Sequence, residues 1–241
     1  AVGGFDSGDD VRELLTAIFD TRLAPTRWPH CIVATIEAER GKFTFDDLDW
    51  QIAEAKKRGA EVSLSIGVRQ PRWPECFQPD WASSLDGGAW KQALYAYLEQ
   101  VVKRYRSEST IISWQLENEA MNNWFGECDP PDRQRIIEEF NLVKSWAPNR
   151  EIWMSLSDQH GLPFNDPKPD RYGFSVYRQV YSSNIIQPGF YITYPTPIWY
   201  HRARAAAIEL MQNRKVFIHE LQLEPWGPRD TKFLSIEEQN K

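Results

Sequence analysis

Two segments of the sequence place carboxylates directly after an apolar run that is typical of a buried strand. In "IISWQLENE", Glu117, Asn118 and Glu119 follow the run, and in "VFIHE", His219 and Glu220 do so. In a barrel of parallel strands the carboxyl ends form one face, so Glu119 and Glu220 are expected to lie across a common pocket. Two facing carboxyl groups suit cleavage of a glycosidic bond. One protonates the leaving oxygen, and the other attacks or stabilises the anomeric carbon.

The run "ENE" cannot be a plain continuation of its strand if it serves that chemistry. Adjacent residues of a regular strand point to opposite faces, so Glu117 and Glu119 would share a face and Asn118 would point away. Asn118 and Glu119 reach one pocket only where the strand ends in a bulge or turn. Glu117 is then expected to be structural, as a salt-bridge partner inside the barrel. His219 is expected to face the side of its strand opposite to Glu220.

Strand and helix patterns alternate along the whole chain. The predicted strands are residues 2–5, 23–28, 60–68, 110–119, 150–158, 172–177 and 215–220, and the predicted helices are residues 9–22, 45–59, 88–105, 129–148 and 200–214. This alternation predicts a parallel sheet, either doubly wound or closed into a (β/α)8 barrel. The segment "GGFDSG" lacks the Gly-x-Gly-x-x-Gly spacing, and polar residues cluster at several strand ends. Both observations favour the barrel.

The predicted barrel has about seven of its eight β/α units in this sequence. Residues 1–241 are interpreted as a single catalytic-type barrel domain that stops before strand eight. Ser235 and Glu238 form a capping box that starts a last helix, and no eighth strand follows. An open barrel would expose strand edges, so a further segment or a partner chain is expected to complete it.

The composition of the sequence excludes several classes of binding partner. No run approaches the ~18 apolar residues of a membrane span. The net charge is −6 and no basic stripe is present, which argues against nucleic acid and anionic membranes. Metal-binding and phosphate-binding motifs are absent, so no cofactor or metal is expected. The opening residues lack the features of a signal peptide, and the compartment stays open between the cytoplasm and secretion after processing.

The three cysteines, Cys31, Cys76 and Cys128, form neither a metal motif nor a disulfide framework. We expect all three to be free thiols. A bridge between Cys76 and Cys128, each in a loop after a strand, is the less favoured alternative.

The paired motifs carry a family resemblance. "WQLENE" and "FIHE", together with the stretch from Ile36 to Pro74, resemble the retaining (β/α)8-barrel glycoside hydrolases, the superfamily of cellulases, mannanases, xylanases and β-galactosidases. The resemblance covers nearly the whole chain. It implies hydrolysis of β-glycosidic bonds in an oligo- or polysaccharide, with Glu119 as the general acid/base and Glu220 as the nucleophile.

The same resemblance assigns supporting roles. Asn118 would hold the 2-hydroxyl of the sugar, Arg27 would support the nucleophile, and Tyr177 would donate a hydrogen bond to it. Loop residues after the strands are candidates for contacts with the carbohydrate substrate, and loop packing explains them equally well: Arg69, Trp73, Trp124 and Trp226.

Two other classes of function fit the fold. One is a non-catalytic barrel that binds carbohydrate or a protein partner, inactive because strand eight is missing. The other is a barrel enzyme such as an aldolase or isomerase, which would need a Schiff-base lysine or a metal cluster at the strand ends. Neither of those features stands out in the sequence.

Overall fold

A five-stranded parallel sheet forms the centre of the structure. The structure, a computed structural model, describes residues 33–71, 75–123, 126–157, 162–164, 166–182 and 190–221. The sheet has the order β1-β2-β3-β4-β7. Its strands are β1 (Val62–Ile66), β2 (Ile111–Leu116), β3 (Glu151–Leu156), β4 (Arg171–Val176) and β7 (Lys215–Leu221). An antiparallel hairpin, β5 (Gln179–Ser182) and β6 (Phe190–Thr193), lies between β4 and β7 in the sequence.

Helices connect the parallel strands. They are α1 (Val33–Ile36), α2 (Asp46–Lys57), α3 (Gly87–Tyr105), α4 (Arg133–Trp146) and α5 (Ile198–Gln212), and a 3-10 helix spans Asp80–Ser84. The Asp86 side chain caps α3 by accepting hydrogen bonds from the backbone N–H groups of Gly88 and Ala89 at 2.9 and 3.0 Å. The Asp132 side chain caps α4 by accepting from the backbone N–H of Arg135 at 3.1 Å.

The strand register separates two chemically different faces. Leu64 pairs with Trp114 and Ile66 with Leu116, and these side chains pack with helix residues in the main hydrophobic core. The alternate positions are small or polar, as in the pairs Ser63–Ser113 and Ser65–Gln115. Because side chains alternate along a strand, these four side chains lie on the face opposite to Leu64, Ile66, Trp114 and Leu116. The polar face therefore runs toward the strand ends that carry the candidate carboxylates.

The fold predicted from the sequence is confirmed wherever the structure describes it. The five strands predicted between residues 60 and 220 are all present and parallel. The predicted strands at 2–5 and 23–28, the helix at 9–22 and the capping box at Ser235 lie outside the described residues. The helix predicted over 129–148 begins at Arg133, because Asp132 and not Asp129 caps it. The β5–β6 hairpin was not predicted. Within the described residues, no helix is long and apolar enough to cross a membrane.

The prediction of free thiols is wrong for two of the cysteines. Cys76 and Cys128 form a disulfide whose Cα atoms are 5.3 Å apart. The prediction failed because the two loops are brought together by neighbouring strands, β1 and β2, and not by proximity in the sequence. Cys31 lies outside the described residues. The bridge ties the loop after β1 to the loop after β2, at the edge where the candidate site lies.

Removing this disulfide should destabilise the protein. It closes a loop of 52 residues, and the loss of chain entropy in the unfolded state corresponds to about 4 kcal/mol. We expect the Cys76→Ser/Cys128→Ser variant to unfold at lower urea concentration, with a free energy of unfolding lower by roughly 2–4 kcal/mol. Reductant should shift wild-type protein in the same direction and leave the double variant unchanged. A reductant effect of equal size on both proteins would contradict the assignment.

Candidate active site

The end of β2 is an irregular turn. Regular strand pairing stops at Leu116. In the turn that follows, Glu117 and Glu119 have left-handed backbone conformations, with φ of 51° and 44°. Few non-glycine residues adopt this conformation, and it costs of order 1–3 kcal/mol for each residue. The turn breaks the alternation of the strand. Asn118 and Glu119 both contact Ser155 of the next strand, so the turn expected at this position is present.

Glu117 anchors the turn from below. Its fully buried carboxylate accepts a hydrogen bond from the backbone N–H of Val68 at 3.2 Å and another from that of Arg69. It also forms an ion pair with Arg135, with 2.8 Å between Nη1 and Oε1. The salt-bridge role expected of Glu117 is therefore confirmed. Gly67 makes room for this carboxylate, since a Cβ there would lie 2.5 Å from the Glu117 Cδ.

Arg135 is shared between two buried carboxyl groups. Its Nη1 atom also lies 2.6 Å from Oε1 of Glu139, one turn along α4. Burial and the negative charge of Glu117 raise the pKa of Glu139 well above its usual value. This shift favours the neutral form of Glu139, and the Arg135 guanidinium supplies the positive charge beside Glu117. This balance allows a carboxylate to remain fully buried beneath the site.

Glu119 is a buried carboxyl group whose proton is held unusually tightly. Only 3% of the residue is exposed. Burial, and then the charge of Glu220, raise its pKa to about 7, whereas the neighbouring Ser175, Asn122 and Arg69 oppose the rise. Asn122 donates a hydrogen bond from Nδ2 to Oε2 of Glu119 at 3.0 Å. A carboxyl group with this pKa can donate a proton at neutral pH and accept one later.

Glu220 reaches the same pocket from β7 through a bulge. The pairing between β4 and β7 shifts after Phe174, so that Ser175 pairs with Glu220 and not with His219. The hydroxyl of Tyr177 donates a hydrogen bond to Oε2 of Glu220. Burial and the charge of Glu220 raise the pKa of Tyr177, so it remains a donor.

His219 does not point away from Glu220 as expected. Its Nδ1 atom lies 3.5 Å from Oε1 of Glu220, because the bulge interrupts the alternation of the strand at this position. The imidazole packs over Gly173, where a Cβ would lie 2.6 Å from the Cβ of His219. A larger residue at 173 would therefore displace the segment that carries Glu220.

Asn118 is held by three side chains. Its Oδ1 accepts hydrogen bonds from Nε2 of Gln115 at 3.1 Å and from Oγ of Ser155 at 3.0 Å. Its Nδ2 donates to Oε2 of Glu75 at 3.1 Å. The amide is therefore fixed in one orientation beside Glu119.

Glu75 is a further carboxyl group of the site that sequence reasoning missed. It is 6% exposed, and burial raises its pKa to about 8, with smaller contributions from the charges of Glu119 and Glu220. It stands in the loop segment "WPEC", which has no helix or strand periodicity to indicate where the side chain points. Its neighbour Cys76, bridged to the loop after β2, was the one available signal.

Of the remaining predicted site residues, the structure describes Arg69. Arg27, Trp73, Trp124 and Trp226 lie outside the described residues. Arg69 is buried, donates from Nη1 to the backbone carbonyl of Asn122 at 2.8 Å, and contributes positive charge near Glu75 and Glu119. Its contact with a sugar stays a prediction.

A cavity of about 440 Å³ lies beside the disulfide. It is lined by Arg69, Trp90, Arg135 and both half-cystines, and neither Glu119 nor Glu220 lines it. Its three basic residues already have polar partners: Arg69 contacts Asn122, Arg135 contacts Glu117, and Lys91 pairs with Glu138. Across the described part of the chain, no group of three or more His, Cys, Asp or Glu side chains is arranged to hold a metal ion.

Comparison with solved structures identifies the fold. An endo-β-1,4-xylanase of glycoside hydrolase family 10 from Gloeophyllum trabeum superposes with a TM-score of 0.61 at 15% identity, over 90% of this chain and 69% of that one. A GH5_18 protein from Streptomyces cattleya in complex with GlcNAc gives a TM-score of 0.56 at 13% identity, over 71% of this chain. A β-galactosidase from Rahnella sp. R3 gives 0.53 at 14% identity, over 74% of this chain and 38% of that one.

These similarities define the class to which the architecture corresponds. No family model matches the sequence. The chain spans about half of the length of the GH5_18 protein, 47%. The chain has the fold of the (β/α)8 barrels, and the solved structures that it resembles are glycoside hydrolases of several families. The resemblance inferred from the two motifs is thereby confirmed for the fold.

The buried ion pair beneath the site should matter far more than a surface pair. Replacing Arg135 by Met leaves Glu117 buried without a counter-charge, and we expect a loss of about 3–5 kcal/mol in the free energy of unfolding. Glu139→Gln should cost less than about 1 kcal/mol, because the raised pKa of Glu139 favours the neutral form that glutamine mimics. Lys103→Met, at the exposed pair with Glu99, is the matched control and should also cost under about 1 kcal/mol. Urea unfolding measures all three, and similar losses for Arg135→Met and Lys103→Met would contradict the account.

Proposed function

We propose that this protein hydrolyses β-glycosidic bonds in an oligo- or polysaccharide by a retaining double displacement. Glu119 is the general acid/base and Glu220 the nucleophile. The observation that carries the proposal is the electrostatic pairing of two carboxyl groups from different strand ends. One is buried with its pKa raised to about 7, and the charge of the other contributes to that rise. Such a separation of proton affinities suits one carboxyl to act as an acid and the other as a nucleophile.

The described contacts fit the two chemical steps. In the first step Glu119 donates its proton to the glycosidic oxygen while an oxygen of Glu220 attacks the anomeric carbon. Tyr177 donates a hydrogen bond to Oε2 of Glu220 and so orients the carboxylate. In the second step Glu119, now ionised, removes a proton from water, and the water oxygen attacks the anomeric carbon and releases Glu220. In the covalent intermediate Glu220 carries no negative charge. The pKa of Glu119 therefore falls, and Glu119 is ionised and able to act as a base.

Structural neighbours support a carbohydrate as the substrate class. Two structures of the Streptomyces cattleya GH5_18 protein hold GlcNAc and Manβ1-4GlcNAc, and they superpose on this chain with TM-scores of 0.56 and 0.54. We propose a β-linked glycoside for this protein as well. The polar face of the sheet, which ends at Asn118 and Glu119, supplies the hydrogen-bonding groups that sugar hydroxyls need.

The disulfide supports an oxidising compartment. Structural disulfides persist in secreted, periplasmic and extracellular proteins and are rare in the reducing cytosol. We therefore propose that the protein functions outside the cytosol. A polymeric β-glycan, which is too large to be taken up before cleavage, fits that location.

Removal of the acid/base should separate the enzymatic function from mere binding. We expect wild-type protein to hydrolyse an aryl β-glycoside and Glu119→Ala to lose about 10²–10⁴-fold in turnover. Azide should restore release of the aryl group, because it replaces water at the glycosyl-enzyme without needing a general base, and should form the β-glycosyl azide. Asn123→Ala, in the same loop, is the control. Unchanged turnover in Glu119→Ala would refute the role, and binding without hydrolysis by wild type would favour the non-catalytic barrel.

The pH dependence should report the raised pKa of Glu119. The protonated form is the acid, so kcat/KM should fall as the pH rises through about 7. In Glu220→Gln the neighbouring negative charge is absent, and the pKa of Glu119 should fall. Carboxyl ¹³C chemical shifts in labelled protein measure it without turnover. An unchanged pKa in Glu220→Gln would contradict the electrostatic pairing.

A further inference from the structure

We propose that Glu75 is a positioning residue of the active site, which fixes the Asn118 amide so that one N–H group points at the 2-hydroxyl of the bound sugar. This inference rests on the proposed function and deepens it. It assigns a role to a carboxyl group that neither the two-carboxylate mechanism nor the sequence pattern uses.

The hydrogen bonds around Asn118 leave one donor for a ligand. The Oδ1 atom is occupied by two donors, Gln115 and Ser155, so the amide cannot be turned over without losing both. An amide nitrogen carries two hydrogens. Among the described residues, Glu75 accepts one of them, at 3.1 Å. The second hydrogen is available for a sugar hydroxyl next to Glu119.

The backbone around Glu75 is built to hold this side chain in place. Glu75 has a left-handed conformation with φ of 78°, which is strained for a non-glycine residue. Its carbonyl accepts from the backbone N–H of Gln70 at 2.7 Å, and the next residue, Cys76, pairs with Arg69. The disulfide of Cys76 then fixes the segment to the loop after β2. The strain is retained because these contacts over-determine the loop.

The charges that face Glu75 favour its neutral form. Burial is the main cause that raises its pKa to about 8, the charges of Glu119 and Glu220 add to the rise, and Arg69 and Asn118 oppose it. When Glu75 is ionised, its charge contributes to the raised pKa of the Tyr177 hydroxyl. In its neutral form Glu75 thus accepts the hydrogen bond from Asn118 without adding a negative charge to the site.

A pair of substrates and a pair of variants test the positioning role. Glu75→Ala should lower kcat/KM for an aryl β-glycoside about 10–100-fold, since a hydrogen bond to the sugar loses its alignment. The same variant should lose less than about threefold on the 2-deoxy analogue, which has no hydroxyl for Asn118 to contact. Glu75→Gln should stay within about threefold of wild type on both substrates, because its amide oxygen still accepts from Asn118. Glu99→Gln, on the surface of α3, is the matched carboxyl control.

The outcomes decide between positioning and general structural support. Equal losses on both substrates in Glu75→Ala, or an equal loss in Glu75→Gln, would overturn the proposal, because a structural defect does not depend on the 2-hydroxyl. In an Asn118→Ala background, Glu75→Ala should cause no further loss on the parent glycoside. A full additional loss there would also overturn it.

A second measurement needs no turnover. The side-chain ¹H–¹⁵N signals of Asn118, assigned with Asn118→Asp, should shift and lose protection from hydrogen exchange in Glu75→Ala and remain near wild type in Glu75→Gln. Signals that do not move in Glu75→Ala would overturn the positioning role. If wild-type protein hydrolyses no glycoside and the Asn118 signals respond as expected, the proposed function fails and the orientation of Asn118 by Glu75 stands.

The pH dependence of stability checks the neutral state independently. The pKa of Glu75 is raised above its usual value in the folded protein, so the folded state holds a proton that the unfolded state releases. The stabilisation is complete below about pH 4.5 and is lost as the pH rises to about 8. Glu75→Gln removes this contribution, and its stability should fall less steeply between these pH values. Identical slopes for wild type and Glu75→Gln would overturn the assignment of a neutral Glu75.

Discussion

The site depends on one buried carboxylate that does no chemistry. Glu117 accepts hydrogen bonds from the backbone after β1 and pairs with Arg135 of α4, so it ties a strand end, a loop and a helix together. This anchor holds the left-handed turn at the end of β2 and thereby directs Asn118 and Glu119 toward the pocket. Without the charge of Arg135, Glu117 would be an unpaired ion in the core, and the turn would lose its support.

The structure also shows how the fold accommodates several acids in a small volume. Four carboxyl groups, Glu75, Glu117, Glu119 and Glu139, are almost entirely buried. The pKa values of Glu75, Glu119 and Glu139 are raised, chiefly by burial, to about 8 for Glu75 and about 7 for Glu119. Burial costs much less for a neutral carboxyl group than for a carboxylate. Burial therefore favours the protonated form of these acids, and the proposed reaction needs one protonated acid.

The sequence predicted most of the sheet and part of the site, and the division has a physical cause. Strand periodicity and the carboxylates at strand ends identified β2 and β7 as the carriers of Glu119 and Glu220, because parallel strands have a common direction. Apolar patterning says nothing about irregular backbone. The bulge that brings His219 near Glu220, the Cys76–Cys128 bridge and the placement of Glu75 all depend on contacts between distant segments. Arg27 and the three tryptophans predicted for the site lie outside the described residues, so their roles stay predictions.

Asn118 links these local features to the proposed chemistry. Its partners come from three separate segments: Gln115 on β2, Ser155 on β3 and Glu75 in the loop after β1. A hydrogen bond to the 2-hydroxyl strengthens as the sugar approaches the oxocarbenium-like transition state, so its value depends on alignment more than on its presence. An amide with three hydrogen bonds already made loses little entropy when the substrate arrives, and more of the interaction is available at the transition state. The strained backbone at Glu75 and the disulfide beside it then have the same effect, since both limit how far the Asn118 amide can move.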